Sequence, residues 1–262
     1  MPRLVLAVGM ALVLLVALLC AVGFVHAVRR ETRYGPRAAP LDALDSGDLL
    51  FFNARAPISS VIDTFGRLLS KGALGSAYCH VSAVYRDVRG LFGRPDALYS
   101  FEYCTAKGGP VLFPLRARAA RSLGRLLCRE LAKPRPEVDR AALDTFVVES
   151  TEKTRNGAST SSHLGWAKTT LQRHVLFLCP DPRTGGTCAD HVLRFLEAAG
   201  LWRACDECFC TSVTDLLQGK SEEAGLPSLA EPELVKRIKG TRPPSHCPPA
   251  PPPRGGLAAS GR

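Results

Sequence analysis

The chain has 262 residues, 22% of them charged and 46% hydrophobic, with a net charge of +10. With both ends set aside, about 200 residues remain, enough for one sizeable core. The ten cysteines show no spacing like the disulfide framework of a small secreted domain. The positive charge is spread along the chain and densest over residues 116–140, with no aromatic-interleaved basic motif or nucleic-acid module. No nucleic-acid partner is expected; a solvated face, or attraction to anionic lipid head groups, is the more natural use of that charge.

Residues 4–28 run without a charged side chain. At about 1.5 Å per residue they make a helix of roughly 37 Å, long enough to cross a bilayer core with some tilt. The alternative is a cleavable signal peptide with a small-residue site at Val25-His26-Ala27. Against it, the apolar stretch well exceeds a usual signal-peptide core of about 7–15 residues. Arg29, Arg30, Arg33 and Arg37 follow the segment and only Arg3 precedes it. The positive-inside rule then places the domain in the cytosol, whereas a signal peptide would place it outside. The expected organisation is an anchor at 1–28, a polar linker at 29–44, a domain at 45–240 and a disordered Pro-rich tail at 241–262. Pro249, Pro252 and Arg254 fit a pattern that docks on aromatic grooves, so a partner that binds proline-rich motifs is one expectation for the tail.

Within the domain, Ser46-Gly47-Asp48 reads as a turn leading into an apolar strand at 49–52. Residues 58–69 have helical spacing, with Ile58, Ile62, Phe65 and Leu69 on one face. Strands follow at 80–85, 97–103 and 111–113, and residues 116–133 are ambiguous between a basic helix and a strand at 126–131. Residues 137–153 read as a helix with Val138, Ala141, Ala142 and Phe146 aligned. A second helix opens at Cys188 behind Gly185-Gly186, capped by Thr187 with Asp190 three positions on, and ends at Gly200. Strands first and helices afterwards predict an α+β domain.

A cysteine in the first turn of a helix sits in the positive end of the helix dipole, which favours thiolate over thiol. The preceding glycines give a substrate close access and leave backbone N–H groups for an oxyanion. Such a nucleophile needs an imidazole, and His80 opens a strand of β-branched and aromatic residues. If the strands at 80–85 and 97–103 pair, His80, Ser82 and Val84 share one face and Leu98, Ser100 and Glu102 another. His80 and Glu102 can then meet across the ladder.

The runs Ser46-Gly47-Asp48-Leu49-Leu50-Phe51-Phe52, His80-Val81-Ser82-Ala83-Val84-Tyr85, Leu98 to Tyr103 and Gly186-Thr187-Cys188-Ala189-Asp190-His191-Val192 stand in that order. Together they resemble the permuted papain-like enzymes of the NlpC superfamily, most closely the YiiX-like branch. The resemblance implies a circularly permuted papain-like fold with the histidine strand first and the cysteine helix last. It implies Cys188 as nucleophile, His80 as base and Glu102 as the group that orients the imidazole, with no cofactor. His191 after Cys188 is also similar to the N-C-E-H-F-V signature of the lecithin:retinol acyltransferase-like branch. Thr187 and Ala189 replace that signature's asparagine and glutamate, and His191 is expected to pack locally.

The expectation is a membrane-anchored thiol hydrolase of the cysteine peptidase or amidase kind, acting on a peptide, an isopeptide or a lipid acyl group at the bilayer. The alternatives are a lipid-directed acyltransferase or phospholipase and a non-catalytic membrane scaffold. Cys205, Cys208 and Cys210 form C-x-x-C-x-C, which needs a fourth ligand such as His246 or Cys247 to close a zinc site. Without a second C-x-x-C pair they read as reduced cysteines, and no metal is expected.

Overall fold

The computed structural model describes residues 38–53, 78–104, 107–121, 126–158, 187–203, 213–218, 228–230, 233–235 and 249–253. The expected anchor at 4–28, the helix at 58–69, Gly185 and Gly186, the cysteines 205, 208 and 210, and His246, Cys247 and Arg254 lie outside the described residues. Among the described residues, no helix is long and apolar enough to cross a membrane.

The strands are β1 (Ala38–Ala39), β2 (Leu49–Asn53), β3 (Tyr78–Asp87), β4 (Ala97–Cys104), β5 (Gly109–Pro114), β6 (Leu126–Arg129) and β7 (Glu233–Val235). The helices are α1 (Leu115–Arg121), α2 (Arg140–Arg155), α3 (Cys188–Ala198) and α4 (Val213–Gln218). The strands form one seven-stranded sheet in the order β1-β7-β6-β2-β3-β4-β5. Its pairings are antiparallel except for β1 with β7. The domain is therefore α+β, as the order of strands and helices predicts.

Both faces of the sheet are covered, which explains why β2 reads as an unbroken apolar run. Leu49 and Phe51 of β2 join Val81, Ala83, Tyr85 and Phe101 in a core completed by Leu143 and Val147 of α2 and Val192 and Phe195 of α3. Leu50 and Phe52, alternating onto the other face, pack with Val84, Leu126 and Cys128 under Leu41, Leu44 and Leu115. At roughly 1.5–3 kcal/mol per fully buried large apolar side chain, each face holds its own layer in place.

Several boundaries differ from expectation. Residues 38–44, assigned to the linker, belong to the fold: β1 pairs with β7, and Leu41 and Leu44 are buried. In the expected tail, Ala250 is buried and donates its N–H to the Leu112 carbonyl at 2.7 Å, on the edge strand β5. The ambiguous stretch resolves into both alternatives, α1 and then β6. Of the expected inward residues Val138 and Phe146 pack against the core, but Ala141 and Ala142 are exposed, and the buried face of α2 is Leu143, Val147 and Val148. The helix starts at Arg140 because Asp139 caps it, accepting from the Ala142 N–H at 3.0 Å. The larger side chains then take the buried face, since they remove more apolar area from water than alanines do.

The dense basic region is largely tied into the fold rather than forming a free charged face. Arg116 pairs with Asp42, Arg118 with Glu102, Arg135 with Asp48 and Glu130, and Arg140 with Asp45. Buried Arg129 donates to the carbonyls of Leu216, Leu217, Leu229 and Ala230. Asp48, after the predicted turn, is fully buried and bonds both guanidinium nitrogens of Arg135 at 3.0 and 2.9 Å. Gly47 turns with φ +96°, and a Cβ there would lie 2.7 Å from Leu201 Cδ1, so only glycine fits.

Candidate active site

The site grows from the start of β3. Ala83 pairs with Phe101 and Val84 with Ser100 in the β3–β4 ladder. Counting back by twos, His80 and Ser82 lie on the face of Val84, and Ser100 and Glu102 face them from β4. His80 and Glu102 are not directly opposite but diagonal, two positions out of step. A diagonal pair of long side chains still reaches across, and His80 Nε2 lies 2.7 Å from Glu102 Oε2. Beneath them, Ser100 Oγ lies 2.8 Å from Ser82 Oγ and 3.4 Å from Glu102 Oε1. Phe52, opposite His80 in the β2–β3 ladder, brings its ring centroid to 5.6 Å from the imidazole.

Cys188 arrives from the other side of the sheet. It is the first residue of α3, which packs on β3 and β4 through the layer of Val81 and Phe101. The β2–β3 register shifts between Phe52 and Asn53, beside His80, so strict two-face alternation ends there. The helix is started by a complete capping box. Thr187 donates its N–H to Asp190 Oδ2 at 2.9 Å, and Asp190 donates its N–H to Thr187 Oγ1 at 3.3 Å. This fixes the first turn and therefore the place of the sulfur.

Cys188 and His80 lie near enough for each to shift the other's titration. Nε2 is the ring nitrogen turned to Glu102. Burial alone would raise the thiol, but the hydrogen bond and charge of His80 and the N–H of Val81 outweigh it, and the Cys188 pKa is lowered. For His80, burial works against the charged form, yet hydrogen bonds to Cys188 and Glu102 raise it to about 10. Glu102, also opposed by burial, is lowered to about 2 by His80 and Arg118. The three directions run together: each group's shift favours the charged form of its neighbours. Glu102 is 4% exposed and His80 24%, so the ring edge stays open to solvent above a buried acid.

The three residues picked from the sequence thus lie together. Arg118 was not among them. It meets Glu102 with Nε at 2.5 Å from Oε1 and Nη2 at 3.0 Å from Oε2, and its guanidinium lies 4.1 Å from the Phe52 ring centroid. The pattern of α1 does not mark it, because the contact is made by folding α1 over the second face of the sheet. His191 packs locally: it is buried and stacks on Tyr103 with ring centroids 4.6 Å apart. Burial, with the charge of Arg194, lowers it to about 3. Among the described residues, no group of three or more His, Cys, Asp or Glu side chains is placed to hold a metal ion.

No protein-family model matches the chain, and no curated protein matches its sequence. Among solved structures, the chain is similar to the crystal structure of metalloprotein yiiX from Escherichia coli O157:H7. The identity is 16% and the TM-score 0.33, over 74% of this chain and 98% of that one.

Proposed function

We propose that the protein is a thiol hydrolase of the permuted papain-like kind, cleaving an amide or ester bond through an acyl-cysteine intermediate. The observation that supports it is the His80 ring held at 2.7 Å by the Glu102 carboxylate, with Cys188 near enough that it and His80 shift each other's titration. The chain order of base strand, acid strand and nucleophile helix fits the same reading.

In this mechanism the Cys188 thiolate adds to the substrate carbonyl carbon, and the carbonyl oxygen becomes an oxyanion. The capping box takes up the N–H groups of Thr187 and Asp190, which leaves those of Cys188 and Ala189 as the first-turn amides that could stabilise that charge. The imidazolium of His80 gives its proton to the leaving amine or alcohol as the tetrahedral adduct collapses to a thioester. Water then attacks the thioester while His80 takes its proton. The carboxylic acid product leaves and gives its remaining proton to solvent, and the thiolate and imidazolium are restored. Glu102 holds the ring through Nε2 and stabilises its charge throughout.

The anchor at 4–28 would hold this site at the cytosolic bilayer surface, with peptide, isopeptide or lipid acyl groups as substrates. The test is turnover of short peptide amides and aryl esters by the full chain in lipid vesicles, with mass spectrometry of the quenched reaction. The expected result is an acyl adduct on Cys188 and loss of turnover in Cys188→Ala. Undiminished hydrolysis by Cys188→Ala would overturn the proposal.

A further inference from the structure

The carboxylate that orients His80 is itself held. Arg118 reaches Oε1 of Glu102 through Nε and Oε2 through Nη2, a two-point ion pair that fixes the plane of the carboxylate as well as its position. Oε2 is the same oxygen that faces His80 Nε2. A carboxylate bonded only to the ring would be free to pivot about its last torsion, whereas this one presents a chosen oxygen at a chosen angle. The guanidinium is held in turn by the face of Phe52, whose ring also lies beside the imidazole. Arg118 is placed by α1, which begins directly after β5, and β5 pairs Val111 with Glu102.

Charge makes the second part of the case. A thiolate, an imidazolium, a carboxylate and a guanidinium form a balanced set. Take away the guanidinium and a buried carboxylate has only the imidazolium opposite it, in competition with the sulfur for the same positive charge. A buried charge that loses its partner is costly, and the group's remedy is to take up a proton.

We propose that Arg118 is a positioning residue of this site: it clamps Glu102 in one orientation and keeps it ionised, and so acts on Cys188 through His80. The inference rests on the thiol-hydrolase reading above. Arg118 touches neither the sulfur nor the imidazole nitrogens in this role, so its effect is on the titration of the site rather than on bond making.

The test is the pH dependence of Cys188 alkylation by iodoacetamide in the full-length protein, quantified by mass spectrometry on the Cys188 peptide. Wild type is compared with Arg118→Met, Arg118→Gln and Arg118→Lys. In wild type, alkylation should titrate well below an ordinary thiol. In Arg118→Met the midpoint should rise by about one pH unit, since loss of a nearby positive charge disfavours the thiolate. Arg118→Lys should return part of that shift. If Arg118→Met does not fold, Arg118→Gln, which removes the charge but keeps a donor for Glu102, carries the same expectation. A low wild-type midpoint left unmoved by the Met and Gln variants would overturn the role of Arg118 and leave the thiol site standing. A wild-type Cys188 that titrates as an ordinary cysteine would overturn the hydrolase reading and this inference with it.

Discussion

His80 and Glu102 meet at 2.7 Å although they are offset by two residues in the β3–β4 ladder. Ser82, opposite Glu102 and next to His80 on the same face, is small, and it lies 2.8 Å from Ser100 Oγ. The offset brings Nε2 to face the acid.

Activity should follow this arrangement in graded steps. His80→Ala removes the proton carrier and should lower kcat by about 10²–10⁴-fold. Glu102→Gln keeps a hydrogen-bonding group of the same shape but removes the charge that stabilises the imidazolium. Its kcat should fall between those of wild type and His80→Ala. Steady-state kinetics on whichever amide or ester the wild type turns over will check the order, and a Glu102→Gln enzyme as fast as wild type would remove Glu102 from the mechanism.

Stability should depend on pH with opposite signs for the two partners. Glu102 is lowered in the fold from 4.5 to about 2. Its contribution is therefore present above the unfolded value and lost as pH falls through about 2. His80 is raised from 6.5 to about 10. Its contribution is complete below the unfolded value and lost as pH rises through about 10. Thermal melts across pH should show both slopes in wild type, with the acid slope reduced in Glu102→Gln and the alkaline slope reduced in His80→Ala.

The sequence made the local parts of this site readable. Period-two alternation put His80 and Glu102 on facing strand surfaces, and Thr187 with Asp190 marked the start of the nucleophile helix within a single turn. Arg118 was not readable, because Leu115–Arg121 holds three arginines with no local mark to separate them. Arg116 pairs with Asp42 at the surface and Arg118 with a buried acid, and only the fold distinguishes the two. Short strands such as β1 and β7 were missed for a related reason: two or three residues carry no periodicity, and pairing alone makes them strands. On α2, packing against the sheet decided which face turned inward, putting Leu143, Val147 and Val148 there.

Gly47→Ala should destabilise the domain without touching the site. The residue has φ +96°, and a Cβ would press on Leu201 at 2.7 Å and on Leu131 at 2.8 Å. Backbone strain of about 1 kcal/mol or more is expected, with the steric clash added to it. Denaturant unfolding will measure the loss, and an unchanged midpoint would contradict the packing described for the turn.

His191→Phe should leave turnover intact. The ring stacks on Tyr103, and among the described residues Nε2 has no hydrogen-bond partner. An apolar ring of similar shape removes that buried nitrogen, so stability should hold or rise by up to about 1 kcal/mol. Turnover reduced to the level of Cys188→Ala would instead place His191 in the catalytic machinery.

The central claim is that Cys188 and His80 form a thiolate–imidazolium pair at neutral pH. It is tested most directly by thiolate ultraviolet absorbance, taken as the difference between wild type and Cys188→Ala across a pH titration. The account predicts a thiolate present at neutral pH that disappears only on acidification. A difference signal that emerges only in the alkaline range of an ordinary cysteine would contradict it.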